Sequence, residues 1–108
     1  MNYKLSITAQ AEEDLRGIFE HIAYELQSPI NAAKQLQRLE QEIMSLSEMP
    51  MRYRAYRKQP WRSKGLRVMS VNSYLVFYVP DKEQQTVQVI RVMYGGRNVD
   101  AELNRFAE

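Results

Sequence analysis

Between Gly65 and Gly96 the chain reads "GLRVMSV", "SYLVFYV" and "TVQVIRVMYG", with Asn72-Ser73 and the polar turn "PDKEQQ" between the runs. Three strand-length runs joined by turns this short predict an antiparallel meander, since parallel strands need a crossover of a dozen residues or more. The middle run constrains the fold most. Tyr74, Leu75, Val76, Phe77, Tyr78 and Val79 are apolar at every position, so both faces of that strand avoid water and it belongs at the centre of a sheet. Upstream segments must supply the cover.

They read as one strand and two helices. In "YKLSIT", Tyr3, Leu5 and Ile7 alternate with Lys4, Ser6 and Thr8, the period of a half-buried strand. Thr8 is placed to cap a helix, with Glu12, Glu13 and Asp14 near the positive end of its dipole. Ala11, Leu15, Ile18, Phe19, Ile22 and Leu26 form the apolar face of that helix, which ends near "ELQS". Ser28-Pro29 restarts a helix, which runs to about Met49 with Leu36, Leu39, Ile43 and Leu46 inward, and Pro50 closes it. The short connection makes the two an antiparallel helical hairpin. After Gly95-Gly96, "VDAELNRF" predicts a short C-terminal helix. The expected fold is α+β in one domain, residues 1–108: an N-terminal strand, an antiparallel helical hairpin on one face of the sheet, a three-stranded antiparallel meander and a short C-terminal helix. The second face of the sheet is expected to be largely open.

Charge is unevenly distributed. The formal net charge is only +2, yet residues 1–48 sum to −4, residues 49–80 to +7 without one acid, and residues 81–108 to −1. A field of this kind steers a polyanion or an acidic protein toward one surface. Within "RYRAYRKQPWRSKGLR", residues 52–67, the residues suited to a partner or nucleic acid are Arg52, Arg54, Arg57, Lys58, Trp61, Arg62 and Lys64, interleaved with Tyr53 and Tyr56. The mixture suits base stacking with phosphate contact and suits a protein interface equally well. It also suits a solvated loop whose Trp61 fills the edge of the core.

Most chemistries are excluded early. No cysteine is present, so neither a disulfide framework nor a thiolate metal site is available, which fits a reducing cytosol. His21 is the single histidine and is expected in a structural or solvent role, leaving no two-histidine metal centre, and no cofactor is expected. Neither a secretion signal nor a run of about 18 apolar residues occurs, which predicts a cytoplasmic protein without a membrane partner. What remains is Arg, Lys and Tyr. A ribonuclease that uses the 2′-hydroxyl as nucleophile needs a base, an acid and cations for the phosphate, and those residue types supply all three without metal. Arg67, Arg91, Tyr94 and Arg97, on or just beyond the strands, are the candidate catalytic set if the protein is a nuclease and if they converge on one sheet face.

"YKLSITAQAEEDLRGIFEHI", "GLRVMSVNSYLVFYV" and "VQVIRVMYGGRNVDAEL" carry a resemblance that spans nearly the whole chain. Their A-x-x-D-L helix, L-R strand, Y-x-x-F-Y strand and R-V-x-x-x-x-R-[DN] ending, in this order and spacing, resemble the RelE/ParE superfamily of bacterial type II toxin–antitoxin toxins. The resemblance implies a toxin that arrests growth and is neutralised by a cognate antitoxin, whose acidic, amphipathic segment wraps the helices and lies along the sheet or the basic stretch. It implies one of two targets. The ParE branch inhibits DNA gyrase without a recognised nuclease centre; the RelE branch cuts mRNA on the ribosome. Leu75 follows Tyr74 where the RelE branch carries Arg, and neither Tyr nor His follows Tyr94, so the chain is more similar to the ParE branch. It departs from that branch at "MPMRYRAYR", which has no P-x-x-G-R turn. The leading expectation is thus a non-catalytic gyrase inhibitor, the first alternative a ribosome-dependent endoribonuclease, and the second a non-toxic nucleic-acid- or protein-binding module.

Overall fold

A computed structural model of the chain describes residues 2–96 and 98–107. Strand β1 (Lys4–Ile7) leads into helix α1 (Ala9–Glu20), a π-helical turn follows at His21–Glu25, and helix α2 spans Pro29–Met44. Strands β2 (Arg67–Val71), β3 (Tyr74–Asp81) and β4 (Thr86–Tyr94) then form the meander, and helix α3 (Val99–Ala107) closes the chain. The sheet order is β1-β4-β3-β2, with β1 parallel to β4 and the other pairs antiparallel, so the doubly apolar strand β3 is central, as its composition requires.

Local chemistry explains the element ends. The Thr8 hydroxyl accepts from the Ala11 N–H at 3.1 Å, capping α1, and donates to the Ile90 carbonyl at 2.8 Å, which ties the helix start to β4. Ser28 makes no such side-chain cap; Pro29, at the first helical position, starts α2 instead. Leu26, expected on the inner face of the first helix, is 60% exposed. The helix widens into the π turn at His21 and the chain reverses at Gln27 (φ 51°), which swings Leu26 outward. Ala23 in the turn and Ala32 in α2 are buried, small enough for the two segments to approach closely.

Both sheet faces are covered, contrary to the expectation of a largely open second face. One cluster joins Ala11 of α1 and Leu39 and Ile43 of α2 to Met69, Val76, Tyr78, Val87, Val89 and Val92. The other, on the opposite face, joins Phe77, Val68, Ile90 and Met93 to Trp61 and Leu66 from the basic stretch and Leu103 from α3. The doubly apolar β3 demanded two covers; the loop and α3 supply the second.

A β-bulge sets the geometry of β4. Phe77 pairs with Arg91 and Tyr78 with Val89, so Ile90 is the additional residue. Val87 and Val89 face the helices, but past the bulge Ile90 and Arg91 fall on the α3 side, and alternation resumes with Val92 facing the helices.

Candidate functional site

The seven cations of residues 52–67 divide into two groups. Arg52 and Arg67 are engaged internally. The Arg52 guanidinium donates to the Glu48 carbonyl and the Ser45 hydroxyl and lies 4.9 Å from the Tyr53 ring centroid. Arg67 donates from Nη1 to the carbonyls of Tyr53 (2.5 Å) and Met51 (3.1 Å), closing the start of β2 onto the turn after α2. Arg54, Arg57, Lys58, Arg62 and Lys64 are exposed. Among the described residues, Arg54, Arg57 and Arg62 have no carboxylate partner, Lys58 stands 3.9 Å from Asp100, and Lys64 lies over the Trp61 ring. Trp61, expected among the contact residues, is 4% exposed and belongs to the second core cluster instead, because the apolar face of the sheet needs its indole.

The loop that carries these cations is well anchored. Ala55 forms a bridge with Arg67, the Tyr56 N–H donates to the Leu66 carbonyl, and the Val68 N–H donates to the Arg54 carbonyl. Gly65 takes φ 82°, which a residue with a Cβ adopts at a cost, as the chain turns from the loop into β2. Tyr56 packs edge-on against Phe77, and its hydroxyl donates to Asp100 at 3.0 Å. Burial, with the Asp100 carboxylate second, pushes the Tyr56 phenol up to about 12. A cavity of about 340 Å³ lies beneath the loop between Arg54, Lys58, Phe77 and the start of α3.

The four residues expected to converge for nuclease chemistry do not converge. Arg67 pairs with Tyr78 and Tyr94 with Tyr74, so both lie on the helical face, four residues apart along β3 and on opposite sides of it, roughly 16 Å between Cα atoms. Arg91 projects from the other face and is 6% exposed. Arg97 lies outside the described residues. Tyr94 is half-exposed, contacts Tyr74 edge-on, and lines a groove of about 690 Å³ with His21, Ile18 and Leu26, away from the basic loop. His21 is exposed and paired with Glu25, in keeping with a solvent role.

Arg91 is instead the centre of a polar clamp whose acidic partner the sequence reading did not name. Strand β1 ends opposite Val89, and beyond it Asp14 of α1 takes the vacated edge of β4. Asp14 accepts from Arg91 Nε (2.8 Å), from Arg91 Nη2 (3.0 Å) and from the Val92 N–H (2.9 Å). Glu102 of α3 adds a weaker contact at 3.7 Å, so one guanidinium joins α1, β4 and α3. Both members of the main pair are more than nine-tenths buried. The bidentate bond to Asp14 raises the pKa of Arg91 and keeps it charged despite desolvation. The A-x-x-D-L and R-V motifs therefore meet in space as acid and base.

No cluster of three or more His, Cys, Asp or Glu side chains able to hold a metal occurs among the described residues, and no helix among them is long and apolar enough to cross a membrane.

Comparison with known proteins bears on the family and the fold. Residues 5–99 match the family described as ParE toxin of type II toxin–antitoxin system, parDE. No curated protein matches the chain. Among solved structures, the chromosomal ParDE system of P. aeruginosa is similar at TM-score 0.69 and 19% identity, covering 85% of this chain and 95% of that one. The RelBE2 toxin–antitoxin complex of Mycobacterium tuberculosis gives 0.65 and 22%, covering 87% and 92%. A free-state mutant of the E. coli toxin RelE gives 0.67 and 17%, covering 97% and 98%. The fold is that of the RelE/ParE toxins. The chain belongs to the ParE toxin family, within the type II toxin–antitoxin toxins.

Proposed function

We propose that this protein is a non-catalytic toxin of ParE type that inhibits DNA gyrase and is neutralised by a cognate antitoxin. The observation that carries this reading is the Arg91 clamp. A phosphate-stabilising cation needs free donors aimed at the reacting group. Here the guanidinium is buried, its Nε and Nη2 are held by Asp14, and Arg67 directs Nη1 at two backbone carbonyls. Tyr94, the candidate for proton transfer, stands roughly 16 Å from Arg67 on the helical face. A proton-transfer group must come within hydrogen-bond reach of its substrate, and these three side chains serve no common phosphate.

An antitoxin partner is supported by the structural relatives, which include ParDE and RelBE complexes. Its apolar contacts suit the outer groove of the helical hairpin, where Leu15, Phe19 and Leu36 line about 350 Å³. Its segment was expected along the sheet or the basic stretch, and the second sheet face is occupied by Trp61 and Leu103. The test uses purified toxin in two assays, gyrase supercoiling of plasmid DNA and message integrity on translating ribosomes. Loss of supercoiling with intact message is expected. Cleavage within codons with unimpaired supercoiling would overturn the reading.

A further inference from the structure

We propose that the loop of residues 54–64 is a binding surface for the phosphate backbone of duplex DNA. The inference deepens the gyrase reading and rests on it for its setting, since the target becomes the enzyme together with its DNA.

The argument begins with what the loop leaves outside. Arg54, Arg57, Lys58, Arg62 and Lys64 are exposed within eleven residues, and no acid occurs between Met49 and Pro80. Every aromatic residue of the stretch is turned inward to some degree. Trp61 is in the core, and Tyr56 is held between Phe77 and Asp100. Among the described residues the large exposed apolar ones are Tyr24, Leu26, Ile30, Met44, Met49, Met51 and Tyr94, none of which falls within 54–64. The loop thus presents positive charge without an apolar anchor.

That combination discriminates among polyanions. A protein interface draws most of its affinity from a few buried aromatic or apolar residues surrounded by a polar rim, and this surface is all rim. Single-stranded nucleic acid is held by bases stacked on exposed aromatic rings, and the indole that would serve is buried. Duplex DNA shields its bases and offers a regular row of phosphates, for which guanidinium and ammonium groups suffice.

Two further features favour phosphate contact. The cations sit on a backbone fixed by the Ala55–Arg67 bridge, by loop–strand hydrogen bonds and by Trp61 in the core, so little ordering cost remains at binding. The helices, which cover the other sheet face, bear Glu12, Glu20 and Glu40 besides Glu13 and Glu42, which are paired with Arg16 and Arg38. Repulsion there turns the basic loop toward the duplex and fixes which side meets it.

The test is fluorescence anisotropy of a labelled duplex of about 30 base pairs titrated with the full chain across a salt series. If all five cations meet phosphates, log affinity falls against log salt with a slope of about −4.5, which is roughly 500-fold between about 50 and 200 mM. The triple substitution Arg54→Ala, Arg57→Ala, Arg62→Ala should bring the slope to about −1.8, whereas Arg54→Lys, Arg57→Lys, Arg62→Lys should retain the original slope. Circular dichroism confirms that each variant is folded. Absence of duplex binding at low salt would overturn the proposal, as would an unchanged slope in the alanine variant or tighter binding of single-stranded DNA or polyglutamate than of duplex. Supercoiling assays on the same variants keep the two ideas apart: failure of the wild type to inhibit gyrase sinks the gyrase reading, while full inhibition by a DNA-blind alanine variant sinks only the role given to the loop.

Discussion

Arg91 and Arg62 differ little as residues and wholly as environments. The first is buried at the edge of β4, held by Asp14 in a bidentate pair and touched by Glu102; the second stands in solvent on the loop after the hairpin, with no carboxylate partner among the described residues. Sequence patterning made both look like phosphate ligands. The contrast shows that an arginine in this fold acquires its role from the acids near it in space, and those acids come from distant parts of the chain. Asp14 is 77 residues from Arg91.

The largest expected effect breaks the buried side of the comparison. Asp14→Ala leaves the Arg91 guanidinium desolvated without its main counter-charge and the Val92 N–H without its acceptor. A loss of about 3–5 kcal/mol is expected, read as a fall in the urea midpoint at unchanged slope. Replacing both partners together, Asp14→Leu with Arg91→Met, should recover most of that loss, because two well-packed apolar groups remove the charge problem altogether. A double variant as unstable as the single one would mean that the clamp's geometry matters beyond its charges.

Trp61→Ala comes next and connects the two regions. It empties a large site in the second core cluster, which also holds Leu66 and Leu103, and should cost roughly 3 kcal/mol. The loop cations lose their anchor at the same time, so duplex affinity should weaken although no charge is removed. Thermal melts alongside the anisotropy series check both.

Tyr78→Phe is smaller and has a pH signature. The Tyr78 hydroxyl donates to the Pro50 carbonyl at 2.6 Å inside the core, and its loss should cost about 1–2 kcal/mol near neutrality. Burial pushes this phenol up to about 12, and Tyr56 is raised to a similar value. A phenol raised by folding contributes stability that is complete below about pH 10 and disappears as pH climbs through about 12, because the unfolded chain releases the proton first. Urea midpoints of the wild type should therefore fall over that window. The fall should be shallower in Tyr78→Phe; an equally steep one would assign the alkaline loss to other groups.

The fold was largely legible in the sequence, and the reasons are local. Alternation in "YKLSIT", the Thr8 cap, Pro29 and the turns around β3 each act over a few residues, and all four appear where the pattern places them. The second face of the sheet was not legible. Its cover comes from Trp61 and Leu103, single apolar residues in polar surroundings whose destination depends on the path of the loop and of α3. The site was obscured by the bulge at Ile90. Period-two counting assigns Arg91 to the helical face with Val87 and Val89, whereas the additional residue sends it to the α3 side and around the strand edge to Asp14. A signal was nevertheless present: an acid one turn into a helix and an arginine in an otherwise apolar strand are each costly to bury alone, and each gives the other a reason to be there.

Arg62→Ala closes the comparison from its weak end. Its side chain is exposed and lacks a carboxylate partner among the described residues, so removing it forfeits neither packing nor a buried bond, and stability should shift by less than about 0.5 kcal/mol. Duplex affinity should nonetheless fall, with the salt slope reduced by about 0.9, the signature of one lost phosphate contact. Asp14→Ala is the opposite case, a large loss of stability from a residue that touches no ligand. If Arg62→Ala instead destabilised the fold as strongly as Asp14→Ala, the loop cations would be structural in the same sense as Arg91. The division between a buried cation that holds the molecule together and exposed ones that meet a partner would then fail at its simplest point.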